Sequence, residues 1–213
     1  MPADRDPHAT LAREGEDRFW SAARDATRFF MGDADVHRAL EKLSRALEGE
    51  GIAYAIIGAM ALNEYGYRRV TVDVDVLLTA DGLAAFKARW LGRGYVEKFA
   101  GSRGLRDTEN GVGIDVVLAG DYPGDGKPKP VVFPDPAAAA VRGRRVALLP
   151  LRTLVELKLA SGLSAPHRLK DLADVLELVR VAHPPRELAD DLDASVRAKY
   201  CELWDAAQGA PEE

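Results

Sequence analysis

The chain has 213 residues, 47% of them hydrophobic and 30% charged, with a formal net charge of −5. That is the composition of an ordinary globular protein with enough apolar material for a core, and the negative balance argues against a surface built for indiscriminate nucleic-acid binding. The single cysteine, Cys201, excludes an internal disulfide framework and a cysteine-based zinc cluster. No apolar run is long enough to span a membrane and the N-terminus has no secretory hydrophobic region, so a cytoplasmic protein with no membrane partner is expected.

Residues up to about Arg13 are polar, carry Pro2 and Pro7, and are expected to fray. Phe19, Trp20, Ala23, Phe29 and Phe30 recur at helical spacing between Glu14 and Met31. Asp33 or Asp35 can cap a second helix, whose stripe of Val36, Leu40, Leu43 and Leu47 ends at Gly49 and Gly51. A short apolar run, Ala53 to Ile57, predicts a buried strand; Gly58 ends it, and a helix over Ala59 to Tyr65 closes on Gly66. Val72 to Leu78 is a second strand and holds two acids, Asp73 and Asp75.

Asp81 is the expected cap of a helix from Gly82 to about Leu91, ended by Gly92 and Gly94. Strands follow over Tyr95 to Ala100, around Leu105, and over Gly113 to Leu118 with Asp115 inside it. Asp121 to Pro130 is dense in Pro, Gly and Asp and reads as a mobile connection or a lid. A short helical or linker stretch at Ala137 to Val141 leads to Arg142, Arg144 and Arg145, a solvated edge or a phosphate contact, and a strand over Val146 to Leu149. Pro150 opens a helix that Gly162 is expected to stop. Ala165 to Val181 reads as the next helix, with Leu169, Leu172, Ala173, Leu176 and Val179 buried and Arg168, Lys170, Asp171 and Asp174 on its polar side. Pro184 and Pro185 break it, and Arg186 to Ala207 holds one or two more helices. The four histidines show no metal-ligand spacing.

The chemistry concentrates in Tyr54 to Thr79. Side chains two apart in a strand share a face, so Asp73 and Asp75 sit side by side while Val72, Val74 and Val76 face the other way. Two adjacent carboxylates repel each other unless a cation neutralises them, and hard oxygen ligands suit magnesium. The alternative is a solvated strand face with two acids on it. If the strand carrying Asp115 neighbours theirs, three acids converge and can hold two metal ions for in-line displacement at phosphorus. Gly58, at the end of a strand and just before a helix, suits close approach of a triphosphate.

These residues resemble the nucleotidyltransferase superfamily of the DNA polymerase β type. That family has a glycine pair opening a helix, then h-D-x-D-h, then a third acid on a later strand; here they read Gly58-Ala59, Val72 to Val76, and Ile114-Asp115-Val116. The run Arg69-Val70-Thr71-Val72-Asp73-Val74-Asp75, with Lys158-Leu159 and Arg168-Leu169-Lys170-Asp171-Leu172-Ala173-Asp174, is similar to bacterial minimal nucleotidyltransferases and abortive-infection (AbiEii-like) toxin nucleotidyltransferases. The resemblance covers about Ala53 to Val181. It implies an α/β (α+β) fold: a small mixed sheet flanked by helices, with a C-terminal helical bundle. The expected organisation is a helical extension over 1–50, a catalytic core over 51–150 and a helical region over 151–213.

The resemblance further implies a two-metal site for Mg2+, with Mn2+ as an alternative, on the catalytic acids Asp73, Asp75 and Asp115, Asp115 activating the acceptor hydroxyl. Gly58, Ala59, Arg69, Thr71, Lys158, Lys170 and Asp174 are the implied nucleotide-binding set. The implied activity is transfer of NMP from an NTP such as ATP to a hydroxyl of RNA or tRNA, protein or a small molecule. The toxin likeness adds an antitoxin as an expected partner. Ala59 departs from the family's Gly-Gly or Gly-Ser and lacks a hydroxyl donor; this keeps open a non-catalytic module that binds a nucleotide or a protein.

Overall fold

In a computed structural model, which describes residues 35–209, seven strands form one mixed sheet in the order β3-β4-β5-β2-β1-β7-β6. The strands are β1 (Tyr54–Ile56), β2 (Asp73–Leu78), β3 (Tyr95–Glu97), β4 (Leu105–Asp107), β5 (Gly113–Leu118), β6 (Val141–Arg142) and β7 (Ala147–Leu148). The helices are α1 (35–49), α2 (Gly58–Glu64), α3 (Ala80–Trp90), α4 (Pro136–Ala139), α5 (Leu151–Ser164), α6 (Leu169–Ala182) and α7 (Ala194–Gln208). The predicted helix between Glu14 and Met31 lies outside the described residues. The mixed α/β architecture with a helical C-terminus is the expected one.

Two apolar layers hold the sheet. On one face Val74, Val76, Leu78 and Ile114 pack with Leu40, Leu43 and Leu47 of α1 and with Leu83 and Phe86 of α3. On the other, Ala55, Ile57 and Leu77 pack with Leu154, Val155 and Leu157 of α5, Val175 and Leu178 of α6, and Val196 and Tyr200 of α7. A core shared between sheet and helices ties the last three helices to the strands rather than leaving them as an appendage.

Several local expectations are corrected. Thr79, not Asp81, caps α3: its hydroxyl accepts from the Gly82 amide, and Asp81 sits in the first turn. Gly162 does not stop α5, which runs on to Ser164; a Cβ there would overlap Leu172, so the glycine lets α6 approach closely. The buried stripe of α6 is also displaced. Leu169 is 67% exposed and Ala173 is exposed, whereas Asp174, Val175, Leu178 and Val179 are inside. The connection over Asp121 to Pro130 has no regular structure but is anchored. The Gly120 amide donates to Phe133 and the Asp125 amide to the Ser164 hydroxyl, and Lys129 reaches both the Pro123 carbonyl and Asp125. No helix among the described residues is long and apolar enough to cross a membrane.

Candidate active site

β2 and β5 pair in parallel with Asp75 opposite Asp115 and Asp73 opposite Gly113. Alternation then puts Asp73, Asp75 and Asp115 on the face of Leu77, toward α5, while Val74, Val76 and Ile114 fill the core behind. Convergence of the three acids is therefore a consequence of strand register. They feel one another: burial first, then the charges of Asp73 and Asp115, push the Asp75 carboxyl up from 3.8 to about 6. Lys158 and Arg69 pull the other way without cancelling this.

As it stands, no group of three acidic, histidine or cysteine side chains among the described residues is arranged to hold a metal ion. Both outer acids have partners of their own. The Thr71 hydroxyl donates to Asp73 at 2.5 Å, and the Lys98 ammonium donates to Asp115 at 2.6 Å. Asp75 has no ion-pair partner among the described residues. Three hard carboxylates on one face, the central one without a paired cation, fit a divalent ion in donor chemistry.

In front of Asp75 is a cleft of about 400 Å³, lined by Gly58 and Ala59 from α2, Lys158 and Ser161 from α5, Arg69, Arg168, Asp171, and the turn from Asp121 to Gly124. A second cavity, of about 550 Å³, lies between α1, α2 and β7 and is lined by none of the three acids. The cationic wall of the first cleft is built around Asp174, which is 1% exposed. Its carboxylate pairs with Arg69 and with Lys158, both at 2.7 Å. Lys158 also reaches Asp171 at 2.8 Å, and the Ser161 hydroxyl donates to Asp171 at 2.6 Å. Burial would raise the Asp171 carboxyl, but Lys158, Ser161 and Arg168 outweigh it and hold the group below its ordinary value. Arg168 also donates to the Gly124 carbonyl at 3.0 Å, joining the start of α6 to the cleft turn.

The structure thus gathers Asp73, Asp75, Asp115, Gly58, Ala59, Arg69 and Lys158, with Thr71 acting on Asp73. Lys170 is exposed and does not line the cleft, and Asp174 lies behind Arg69 and Lys158 rather than in the lining. The basic edge, Arg142 on β6 with Arg144 and Arg145 in the turn after it, lies at the end of the sheet, beyond β1 and β7 from the acids, and Arg145 pairs with Glu41. Lining or partner residues left out of the implied site set include Lys98, Ser161 and Arg168, the last named there only as part of the helix-pair run. Ser161 had a signal: three residues beyond Lys158, it shares that helix face.

Gly58 is required by geometry. Its φ is +62°, and a Cβ there would overlap the Asp75 carboxylate. Gly58→Ala is expected to destabilise the fold by about 1–3 kcal/mol through the left-handed backbone, and to displace Asp75. Denaturant melts and Mn2+ binding check this; wild-type binding in the variant would refute it.

No protein-family model and no curated protein matches the chain. Among solved structures, the crystal structure of ANT(2'')-Ia in complex with adenylyl-2''-tobramycin is similar at 14% identity and a TM-score of 0.48, covering 80% of this chain and 95% of that one. The solution structure of the antibiotic-resistance factor ANT(2'')-Ia is similar at the same identity and TM-score, covering 84% of this chain and 99% of that one.

Proposed function

We propose that this chain is a divalent-cation-dependent nucleotidyltransferase that moves a nucleoside monophosphate from an NTP onto a hydroxyl acceptor. The observation that carries the reading is the register of β2 with β5, which sets Asp73, Asp75 and Asp115 on one face beside a cleft walled by Arg69 and Lys158. Asp73, Asp75 and Asp115 would hold the Mg2+ or Mn2+, which when bound neutralises phosphate charge and activates the acceptor hydroxyl. Lys158 and Arg69 offer charge-assisted hydrogen bonds to phosphate oxygens, and Gly58 lets the Asp75 carboxylate sit against the start of α2 at the cleft. The acceptor oxygen forms a bond to the α-phosphorus as the bond to the bridging oxygen of pyrophosphate breaks, and the hydroxyl proton passes to a carboxylate.

One feature favours a second reading, a module that binds nucleotide without turnover: Ala59 lines the cleft where a hydroxyl donor would assist. The acceptor classes open to an enzyme are RNA (tRNA included), protein and small molecules. The toxin reading, with its partner antitoxin, rests on the Arg69-to-Asp75 run and the helix pair that follows.

Incubation with each α-labelled NTP and magnesium, with and without total RNA, beside Asp73→Asn/Asp75→Asn, tests the proposal. Label on RNA, on the protein or on an added small hydroxyl compound, absent from the double variant, is the expected result. Mg-NTP raising the wild-type melting temperature with no label on any acceptor would support the binding module. Neither label nor thermal shift would overturn both readings.

A further inference from the structure

Lys98 lies just beyond β3, in the turn toward β4, and its backbone is held by a hydrogen bond from its amide to the Gly104 carbonyl at 3.0 Å. From there the side chain passes over the start of β4 to reach Asp115 on β5. It does so over two positions without side chains. A Cβ on Gly104 would stand 3.0 Å from the Lys98 Cδ, and one on Gly113 would stand 3.4 Å from both its Cε and its Nζ. Neither glycine adopts the left-handed backbone that would by itself call for glycine. The same point over Gly113 is 3.9 Å from the Asp73 Cβ, so Gly113 is bordered by both the lysine and a second of the three acids.

The pair is also of a kind that can be broken. Lys98 is 34% exposed and Asp115 47% exposed in their side chains, and an ion pair this open to water is weak. The neighbouring lysine pair, Lys87 with Glu97, is separate from it, so Asp115 is the carboxylate that Lys98 serves.

We propose that Lys98 is a positioning residue whose ammonium is the built-in counter-charge of Asp115, held in the glycine track and given up when a divalent cation enters. This rests on the reading of Asp73, Asp75 and Asp115 as a cation site. Lys98 compensates the charge of Asp115 in the cation-free state, and by competing for it sets the cation concentration the site requires. Loss of Lys98 therefore makes divalent binding tighter, the opposite of what loss of a ligand does.

The test is Mn2+ binding to the full chain, followed by the electron paramagnetic resonance signal of free Mn2+. Lys98→Met is expected to lower the Kd roughly threefold to fivefold, the scale of an exposed ion pair. Lys98→Arg, which keeps the charge, is expected to stay near wild type. Gly104→Ala crowds the lysine stem and is expected to shift the Kd in the same direction as Lys98→Met. Arg103→Gln removes a cation that pairs with Asp121 instead; it is expected to leave the Kd unchanged, and equal tightening there would reduce Lys98 to general charge and overturn the proposal. If Asp75→Asn abolishes binding while Lys98→Met binds no more tightly than wild type, the Lys98 inference falls and the cation site stands. If neither wild type nor Lys98→Met binds Mn2+, the cation site falls and the inference with it.

Discussion

Asp75→Asn is expected to lower nucleotidyl transfer by about a thousandfold and at the same time to make the cation-free protein harder to melt at neutral pH. The two effects have one cause. Burial and the neighbouring Asp73 and Asp115 hold the Asp75 carboxyl at about 6, above its ordinary 3.8. Between those values the folded chain keeps a proton that the unfolded chain has released. Stability contributed by this group therefore falls as pH rises through that window, and the penalty is complete above about 6. The rise corresponds to an upper bound of about 3 kcal/mol at pH 7, which solvent access and relaxation reduce to about 1–2 kcal/mol. Asparagine carries no charge and removes the penalty. Melting in EDTA at pH 5 and pH 7.5 checks it: wild type should gain stability on acidification relative to the variant, other groups titrating alike in both. A variant that transfers label at more than about a tenth of the wild-type rate, or that melts below wild type at pH 7.5, would remove Asp75 from the centre of the site.

What could be read in advance was what local periodicity encodes. The alternation of Asp73 and Asp75 with Val74 and Val76 is a period-two signal, and the strand that carries it forms where expected. Asp115 joined the acids by a conditional step, that its strand lie beside theirs, and the pairing of β2 with β5 meets the condition. The residues misplaced depend on partners far along the chain. On α6 the polar character of Asp174 set the phase wrongly, because nothing near it in sequence explains a buried acid. Its partner Arg69 is 105 positions away. Lys98 was passed over for the same reason, since its contact with Asp115 exists only once β4 and β5 bring Gly104 and Gly113 beside it. Gly162 looked like a helix stop by composition, yet it is a contact point for α6.

Asp174→Ala is expected to cost about 3 kcal/mol of stability and to weaken NTP binding by about tenfold or more. The carboxylate is 1% exposed and stands between two cations at 2.7 Å, so its removal leaves charge in a poorly hydrated place. Lys158 keeps a second partner in Asp171, at 2.8 Å, and so is partly compensated. Arg69 has no such substitute among its ion pairs, and its guanidinium should be the group that leaves. If Asp174 acts through these two cations, Lys158→Met should weaken NTP binding with a smaller loss of stability, because Asp171 keeps Ser161 and Arg168, and Arg69 then has Asp174 to itself. The double variant Asp174→Ala/Lys158→Met should be more stable than the sum of its single changes implies, by about 1 kcal/mol or more, since Lys158→Met removes one of the cations that Asp174→Ala would strand. Chemical denaturation and nucleotide titration of the four proteins decide the matter. Strict additivity, or an Asp174→Ala protein within about 1 kcal/mol of wild type, would mean that the cationic wall is not anchored on Asp174. A preserved NTP affinity in Lys158→Met would mean that the wall does not meet the phosphates, leaving the three acids as the only support for the transferase reading.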